Sequence, residues 1–219
     1  MSRFTLLLVL LSTVLTAGCT GLPDTRGPFP PGAELVSDAA KSFASVRGVH
    51  FAAGVNGVLP GFPLRQIEGN ATLDDGESAT GTADVQDDNA GGGHVKFHFR
   101  VNGQHVSTDL GAGPLPDAYT VSRFLGAHGG LKRLLDAVTD AKTEGRENVD
   151  GASALRVGGR VPAAVAHSVL AQVDADLNVK VWVSDSLPRR FVRLWAQIPP
   201  PDDHLSPVMI ELSLTDQQQ

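Results

Sequence analysis

The run Val95-Lys96-Phe97-His98-Phe99-Arg100-Val101 alternates bulky apolar residues with charged or polar ones without a break. No other stretch restricts the fold as strongly. Successive side chains of a strand point to opposite faces, so this pattern gives one apolar face and one wet face. Asn102-Gly103 follows at once. Asn-Gly beside an alternating run is a strong hairpin signal, because both residues tolerate positive φ. The partner strand is expected through Val106, Thr108 and Leu110. A hairpin with a single apolar face must bury that face against another layer.

The same period recurs along most of the chain. Val49, Phe51, Ala53 and Val55 alternate with polar or small residues, and Leu64 to Leu73 and Ser78 to Val85 continue the pattern. Thr143 to Val149 and Ala154 to Val161 form a second expected hairpin, turning at Asp150-Gly151. Three more strands are expected through Leu177–Val183, then Val192, Leu194, Ala196 and Ile198, then Val208, Ile210, Leu212 and Leu214. Pro199-Pro200-Pro201 separates the last two. Gly111 to Pro116 reads as a loop. Helical spacing of 3.6 residues appears in Ala33 to Val46, in Leu131, Leu134, Leu135 and Val138, and in short helices beginning at Asp117 and Pro162, the last with Val165, Val169 and Leu170 inward. One-sided alternation leaves the sheet's other face in water. The helices must cover the apolar face, which predicts an α+β protein of two layers.

The first nineteen residues belong to a different physical regime. Arg3 precedes an apolar run from Phe4 to Val14, and Leu15-Thr16-Ala17-Gly18 leads into Cys19, the only cysteine. This is the layout of a secretory signal, and the run falls short of the ~20 apolar residues a membrane span needs. Ala-Gly-Cys at the cleavage point resembles the lipobox of bacterial lipoproteins. The resemblance implies cleavage after Gly18 and acylation of Cys19, placing the domain on the extracytoplasmic face of the cell membrane. Acyl chains contribute about 0.8 kcal/mol per buried methylene, so two or three anchor stably where one does not. Residues 1–18 are therefore expected as signal peptide and 19–32 as the anchored cysteine with a tether. Residues 33–216 are expected as the folded domain and 217–219 as a polar tail. The tether carries Pro23, Pro28, Pro30 and Pro31; at ~3.1 Å per residue in polyproline II form it reaches about 40 Å.

Charge and motif content narrow the function. The formal net charge is −6, and one unit more negative once Arg3 leaves with the signal. That opposes nucleic acid, whose phosphates demand a basic surface. With Cys19 acylated no disulfide can form, so the core alone holds the fold. The histidines lack metal-ligand spacing: His94 and His98, four apart on a strand, are separated by ~13 Å at ~3.3 Å per residue. Gly151-Ala152-Ser153-Ala154-Leu155 lacks the second glycine of a nucleophile elbow. Gly91-Gly92-Gly93 and Gly111-Ala112-Gly113 follow no strand-to-helix phosphate pattern. Asp74-Asp75 and Asp87-Asp88 sit in polar turns. The sequence therefore predicts no catalytic residue, no metal and no cofactor.

Asp140-Ala141-Lys142-Thr143-Glu144-Gly145-Arg146, Asp150-Gly151 and Arg156-Val157-Gly158-Gly159-Arg160-Val161 resemble the matching block of the mycobacterial LppX/LprA/LprF/LprG lipoproteins. So do Val49-His50, Gly61-Phe62-Pro63, Val181-Trp182-Val183 and Leu187-Pro188-Arg189. The resemblance spans most of the mature domain in order. It implies a large curved antiparallel half-barrel sheet with helices over its concave face, enclosing a hydrophobic cavity. It further implies binding of acylated lipids, glycolipids, lipoglycans or triacylglycerol and their passage through the cell envelope, with a membrane lipid exporter as a partner. Apolar pockets suit lipid tails. Val95, Phe97, Phe99, Val101, Val179, Val181, Val183, Leu194, Ile198, Ile210 and Leu212 are the expected cavity face; for each, ordinary core packing is the competing expectation. Two other classes stay open: an interaction or scaffold lipoprotein whose core is filled by its own helices, and an anchored hydrolase. A void between the layers separates the first reading from the second, and a buried Ser-His-Asp cluster would signal the third.

Overall fold

The computed structural model describes residues 27–74, 77–87, 93–114, 119–200, 202 and 204–219. The expected signal peptide, Cys19, most of the tether and the Asp117 cap lie outside the described residues. Helix α1 (Gly32–Phe43) opens the domain, followed by β1 (Gly48–Asn56), β2 (Leu64–Thr72), β3 (Ser78–Asp87), β4 (Gly93–Asn102), β5 (His105–Thr108) and β6 (Gly111–Pro114). Helices α2 (Val121–Leu125) and α3 (Gly130–Asp136) lead into β7 (Thr139–Val149) and β8 (Ala152–Val161). Helix α4 (Ala163–Val169) then precedes β9 (Leu177–Ser184), β10 (Phe191–Ile198) and β11 (Val208–Gln218).

The eleven strands form one antiparallel sheet in the order β6-β5-β4-β3-β2-β1-β11-β10-β9-β8-β7. Each half is a meander of sequence neighbours, and the β1–β11 pair joins the halves. Phe97, Ala83, Ile67, Ala53, Leu212, Leu194, Val181 and Val157 stand opposite one another in a single register row from β4 to β8. One uninterrupted apolar row thus crosses most of the sheet, as the period-two pattern requires.

Local chemistry explains the turns. Asp150 and Gly151, between paired Val149 and Ala152, both have positive φ (51° and 88°), the requirement of a type I′ hairpin. The other expected hairpin closes one residue later than Asn-Gly suggested. Asn102 stays in β4 opposite His105, and Gly103, at φ 55°, is the first loop residue.

Several expectations need correction. Helix α1 ends at Phe43, and Val46 is buried beyond it. Leu110 lies outside β5: its amide donates to Thr108 Oγ1 at 3.1 Å, a local bond that turns the chain. The loop expected at Gly111 to Pro116 begins instead with β6, whose backbone pairs along β5 despite its glycines. In β10 a bulge between Phe191 and Arg193 resets the alternation. Phe191 is therefore fully buried opposite Val183, while Val192 packs on the other face against Trp182. In α4 the buried residue is Ala166, with Val165 and Val169 only partly covered.

Candidate functional site between sheet and helices

The helices do not spread evenly over the apolar face. Helix α1, with an apolar face of Leu35, Val36, Ala39, Ala40 and Phe43, packs on β7 to β10 and against α3. Helix α3 in turn touches α2 and α4. This covered half of the sheet presents large aliphatics: Val157, Val179, Val181, Val183, Leu194 and Phe191. The other half presents small residues, with Ala53, Ala71, Ala79 and Ala83 on the same face as Gly69 and Gly81. Its bulk comes from Phe51, Phe97, Phe99 and Val101.

The expected cavity residues fall on this inner face with one exception. Phe99, Val101, Val179, Val181, Val183, Leu194, Ile198 and Leu212 are buried in one continuous core, and Phe97 and Ile210 pack against it half-buried. Val95 shares the face but sits near the start of β4, half-exposed and outside that core. Lying on the face is not the same as lining a void. One gap between the layers, of about 10 Å³, is bounded by Leu134, Leu135, Val138, Val161, Leu177, Val179, Leu194 and Ala196. That is about the volume one water centre needs. Only Val179 and Leu194 of the sequence-selected set border it. The helix residues that do, Leu134, Leu135 and Val138, carried a legible signal: they are the i+3, i+4 and i+7 positions after Leu131 in the expected helix. Val161, Leu177 and Ala196 were legible as strand apolars but not as neighbours of α3.

Polar groups are confined to the outer face and the rims. Arg156 bridges Glu144 and Glu147 at 2.9 Å each, and Lys180 also donates to Glu144. The Lys180 ammonium, with Arg156 beside it, holds the Glu144 carboxyl below its ordinary value against the opposing effect of partial burial. Asp109 is likewise lowered, chiefly by the backbone N–H of His98 and then by its ring. His94 pairs with Asp84 at 2.9 Å and His98 with Asp109 at 2.8 Å. Among the described residues no three His, Cys, Asp or Glu side chains gather as a metal site. Nor is any helix there long and apolar enough to cross a membrane.

The short motifs that carried the resemblance are braces. Arg146 meets Asp185 at the foot of the β9–β10 turn, Arg160 reaches Asp176 at 2.8 Å, and Arg189 binds the carbonyl of Ser184 at 3.1 Å. They fix the architecture and leave the ligand open.

An open antiparallel sheet with helices laid along one side, its polar groups on the outer face and the rims and its interior apolar, defines a two-layer α+β architecture. Residues 31–218 match the LppX_LprAFG lipoprotein family, and the protein belongs to it. It is 29% identical over 184 residues to the lipoarabinomannan carrier protein LprG of Mycobacterium leprae, covering 80% of this chain and 76% of that one. The LprG of Mycolicibacterium smegmatis is also 29% identical, over 80% of this chain and 77% of its own. Among solved structures, LprF from Mycobacterium bovis superposes with a TM-score of 0.72 at 21% identity, covering 86% of this chain and 95% of that one. The Mycobacterium tuberculosis lipoprotein LppX gives 0.62 at 20%, covering 84% and 94%. These two likenesses establish the half-open α+β sheet fold expected from the sequence.

Proposed function

We propose that the protein is a lipid carrier, anchored through Cys19 at the extracytoplasmic face of the cell membrane. It holds the acyl chains of lipids or lipoglycans between sheet and helices and moves them through the cell envelope without catalysis. The observation that carries this reading is the all-aliphatic seam between α3 and strands β8 to β10, where not one polar side chain borders the gap. Separating apolar surfaces costs about 25 cal/mol per Å², and an alkyl chain entering the seam repays that cost in kind. The curated relatives, named as lipoarabinomannan carriers, support a lipoglycan as cargo.

This gap of about 10 Å³ admits no acyl chain, so loading at this seam requires the helices to lift. Arg133 donates to Ser168 Oγ at 3.3 Å and to its carbonyl at 3.2 Å, tying α3 to α4. The two move as one flap. Val179, Val181, Leu194, Ile198, Ile210 and Leu212 then form the floor that receives the chains, with Phe97 and Phe99 at its far end. A membrane lipid exporter fits as the partner on the delivery side.

The closed seam also favours a second reading, a scaffold lipoprotein whose helices permanently fill the face. Native mass spectrometry with organic extraction, on a Cys19-lacking domain from an actinobacterial host, separates the two. Co-purifying acylated species identify a carrier. A clean apo mass with no uptake of added glycolipid or triacylglycerol sinks the carrier reading in favour of the scaffold.

A further inference from the structure

The outer face of β1 to β5 holds a second concavity, on the opposite side of the sheet from the helix seam. It is an open groove of about 670 Å³. Its floor is the main chain of β2 and β3 around Gly69 and Gly81, which stand opposite each other in register with their side-chain positions turned to the helix side. Neither position accepts a side chain. A Cβ on Gly81 would lie 2.0 Å from Glu68 O, and one on Gly69 2.2 Å from Thr80 O.

Two registered rows of polar side chains form the walls. His50, Asn70, Thr80, Arg100 and Ser107 stand opposite one another from β1 to β5. Glu68, Thr82 and His98 form the second row, completed by Asp109 from the β5–β6 turn. The walls are held in place before any ligand arrives. His50 Nδ1 is 3.1 Å from Asn70 Oδ1, and its Nε2 is 3.4 Å from Glu68 Oε1. Asp109 Oδ2 accepts from the His98 amide at 2.9 Å and lies 2.8 Å from the ring Nδ1.

Arg100 is the exception. Its neighbours across the strands are the hydroxyls of Thr80 and Ser107, and no carboxylate among the described residues pairs with its guanidinium. A guanidinium between two hydroxyls, beside amide and carboxylate acceptors already fixed by histidines, has a definite chemical complement. We propose that this groove binds a phosphorylated polyol. The phosphate takes the Arg100 fork bidentately with Thr80 and Ser107 donating, and the ring hydroxyls donate to Asn70, Glu68 and Asp109. The walls are too polar for an alkyl chain, and Glu68 and Asp109 repel a polyanion such as nucleic acid. Inorganic phosphate alone would leave most of the groove unused. Because the sheet separates this groove from the helix seam, the inference stands independently of the carrier reading. A phosphorylated lipid headgroup and a free sugar phosphate share the chemistry, and the experiment distinguishes them.

The full chain, 15N-labelled in a detergent lacking sugar and phosphate, is titrated with glucose 1-phosphate, glucose, inorganic phosphate and micelle-incorporated phosphatidylinositol. Glucose 1-phosphate is expected to shift the amides of Gly69, Asn70, Gly81 and Ser107. It should bind about tenfold more tightly than glucose or phosphate, and about tenfold more weakly to Arg100→Gln. Asn70→Ala should weaken the sugar phosphate while leaving the weaker inorganic phosphate binding unchanged. Tighter binding of phosphatidylinositol assigns a headgroup, and tighter binding of glucose 1-phosphate assigns a free metabolite. No shift at these amides from either phosphorylated probe overturns the proposal. So does unchanged affinity in Arg100→Gln, or inorganic phosphate binding as tightly as the sugar phosphate.

Discussion

Arg146 Nε lies 2.7 Å from Asp185 Oδ2, with the arginine side chain only 6% exposed and the ring of Phe29 5.4 Å from its guanidinium carbon. Asp185 also accepts from Ser153 Oγ at 3.2 Å. One ion pair thus ties β7 to the β9–β10 turn and pins the segment that enters α1. Removing one member of a buried pair costs about 3–5 kcal/mol when nothing compensates the other. Here Ser153 and Arg189, the latter 3.7 Å away, still reach Asp185, which keeps the loss at the low end. Arg146→Met is expected to lose about 3 kcal/mol in urea unfolding, and Arg146→Met with Asp185→Leu to recover part of it. Equal losses in the single and double variants would refute the pairing argument.

The Gly69–Gly81 contact gives a second prediction. Gly81→Ala forces its methyl against the Glu68 carbonyl, and neither backbone can yield without breaking the β2–β3 ladder. A loss of more than about 2 kcal/mol is expected, or roughly 5 °C or more in Tm at this chain length. Gly103→Ala meets no neighbouring atom and carries only the strain of its φ of 55°, so it should cost less, about 1 kcal/mol. Similar melting temperatures for the two variants would show that the strands tolerate the methyl.

Glu144 sets a pH dependence whose sign is fixed. Its folded pKa is lowered, mainly by Lys180, so its stabilisation is fully present above the ordinary carboxylate value of about 4.3. That contribution disappears as pH falls through the lowered value. At neutral pH Glu144→Gln should be less stable than the parent by no more than about 1 kcal/mol, since the network is partly solvated. The two stability curves should begin to converge as pH drops below the ordinary carboxylate value of about 4.3 and meet once it has passed the lowered one. Chemical denaturation at several pH values checks this, and a gap that persists in acid contradicts it.

Filling the helix seam tests the carrier reading. Ala196 is buried at the border of the gap. Ala196→Phe is expected to cost about 1–3 kcal/mol through overpacking and to abolish co-purification of acylated lipid. Trp195→Phe, its neighbour on the outer face, should leave lipid uptake unchanged. Retained uptake in Ala196→Phe would move the lipid elsewhere.

Strand identity and face were legible wherever one period ran unbroken, as from Val95 to Val101 and from Leu177 to Val183. The signal failed where a local event reset the period. At Phe191 a bulge decides which residue is buried, and a bulge has no mark in a run of apolar residues on both sides. β6 was hidden because its glycines carry no pattern, and it exists only through hydrogen bonds to β5. The inner face could be listed from alternation, but the gap could not, because it depends on where α3 lands. The outer groove escaped for a related reason: His50, Asn70, Thr80, Arg100 and Ser107 come from five strands and converge only through register.

The β1–β11 seam pairs Phe51 with Leu214 and Gly48 with Gln218, so the two halves meet through opposite ends of the domain. Contacts this distant in sequence are the last to repay their loop-closure entropy. Until β11 is available, the chain has two unsealed half-sheets with raw edges along β1 and β10. The last strand therefore acts as the closing stitch: a nascent chain cannot lock its fold early, and a truncation short of residue 208 should leave material prone to edge-to-edge aggregation.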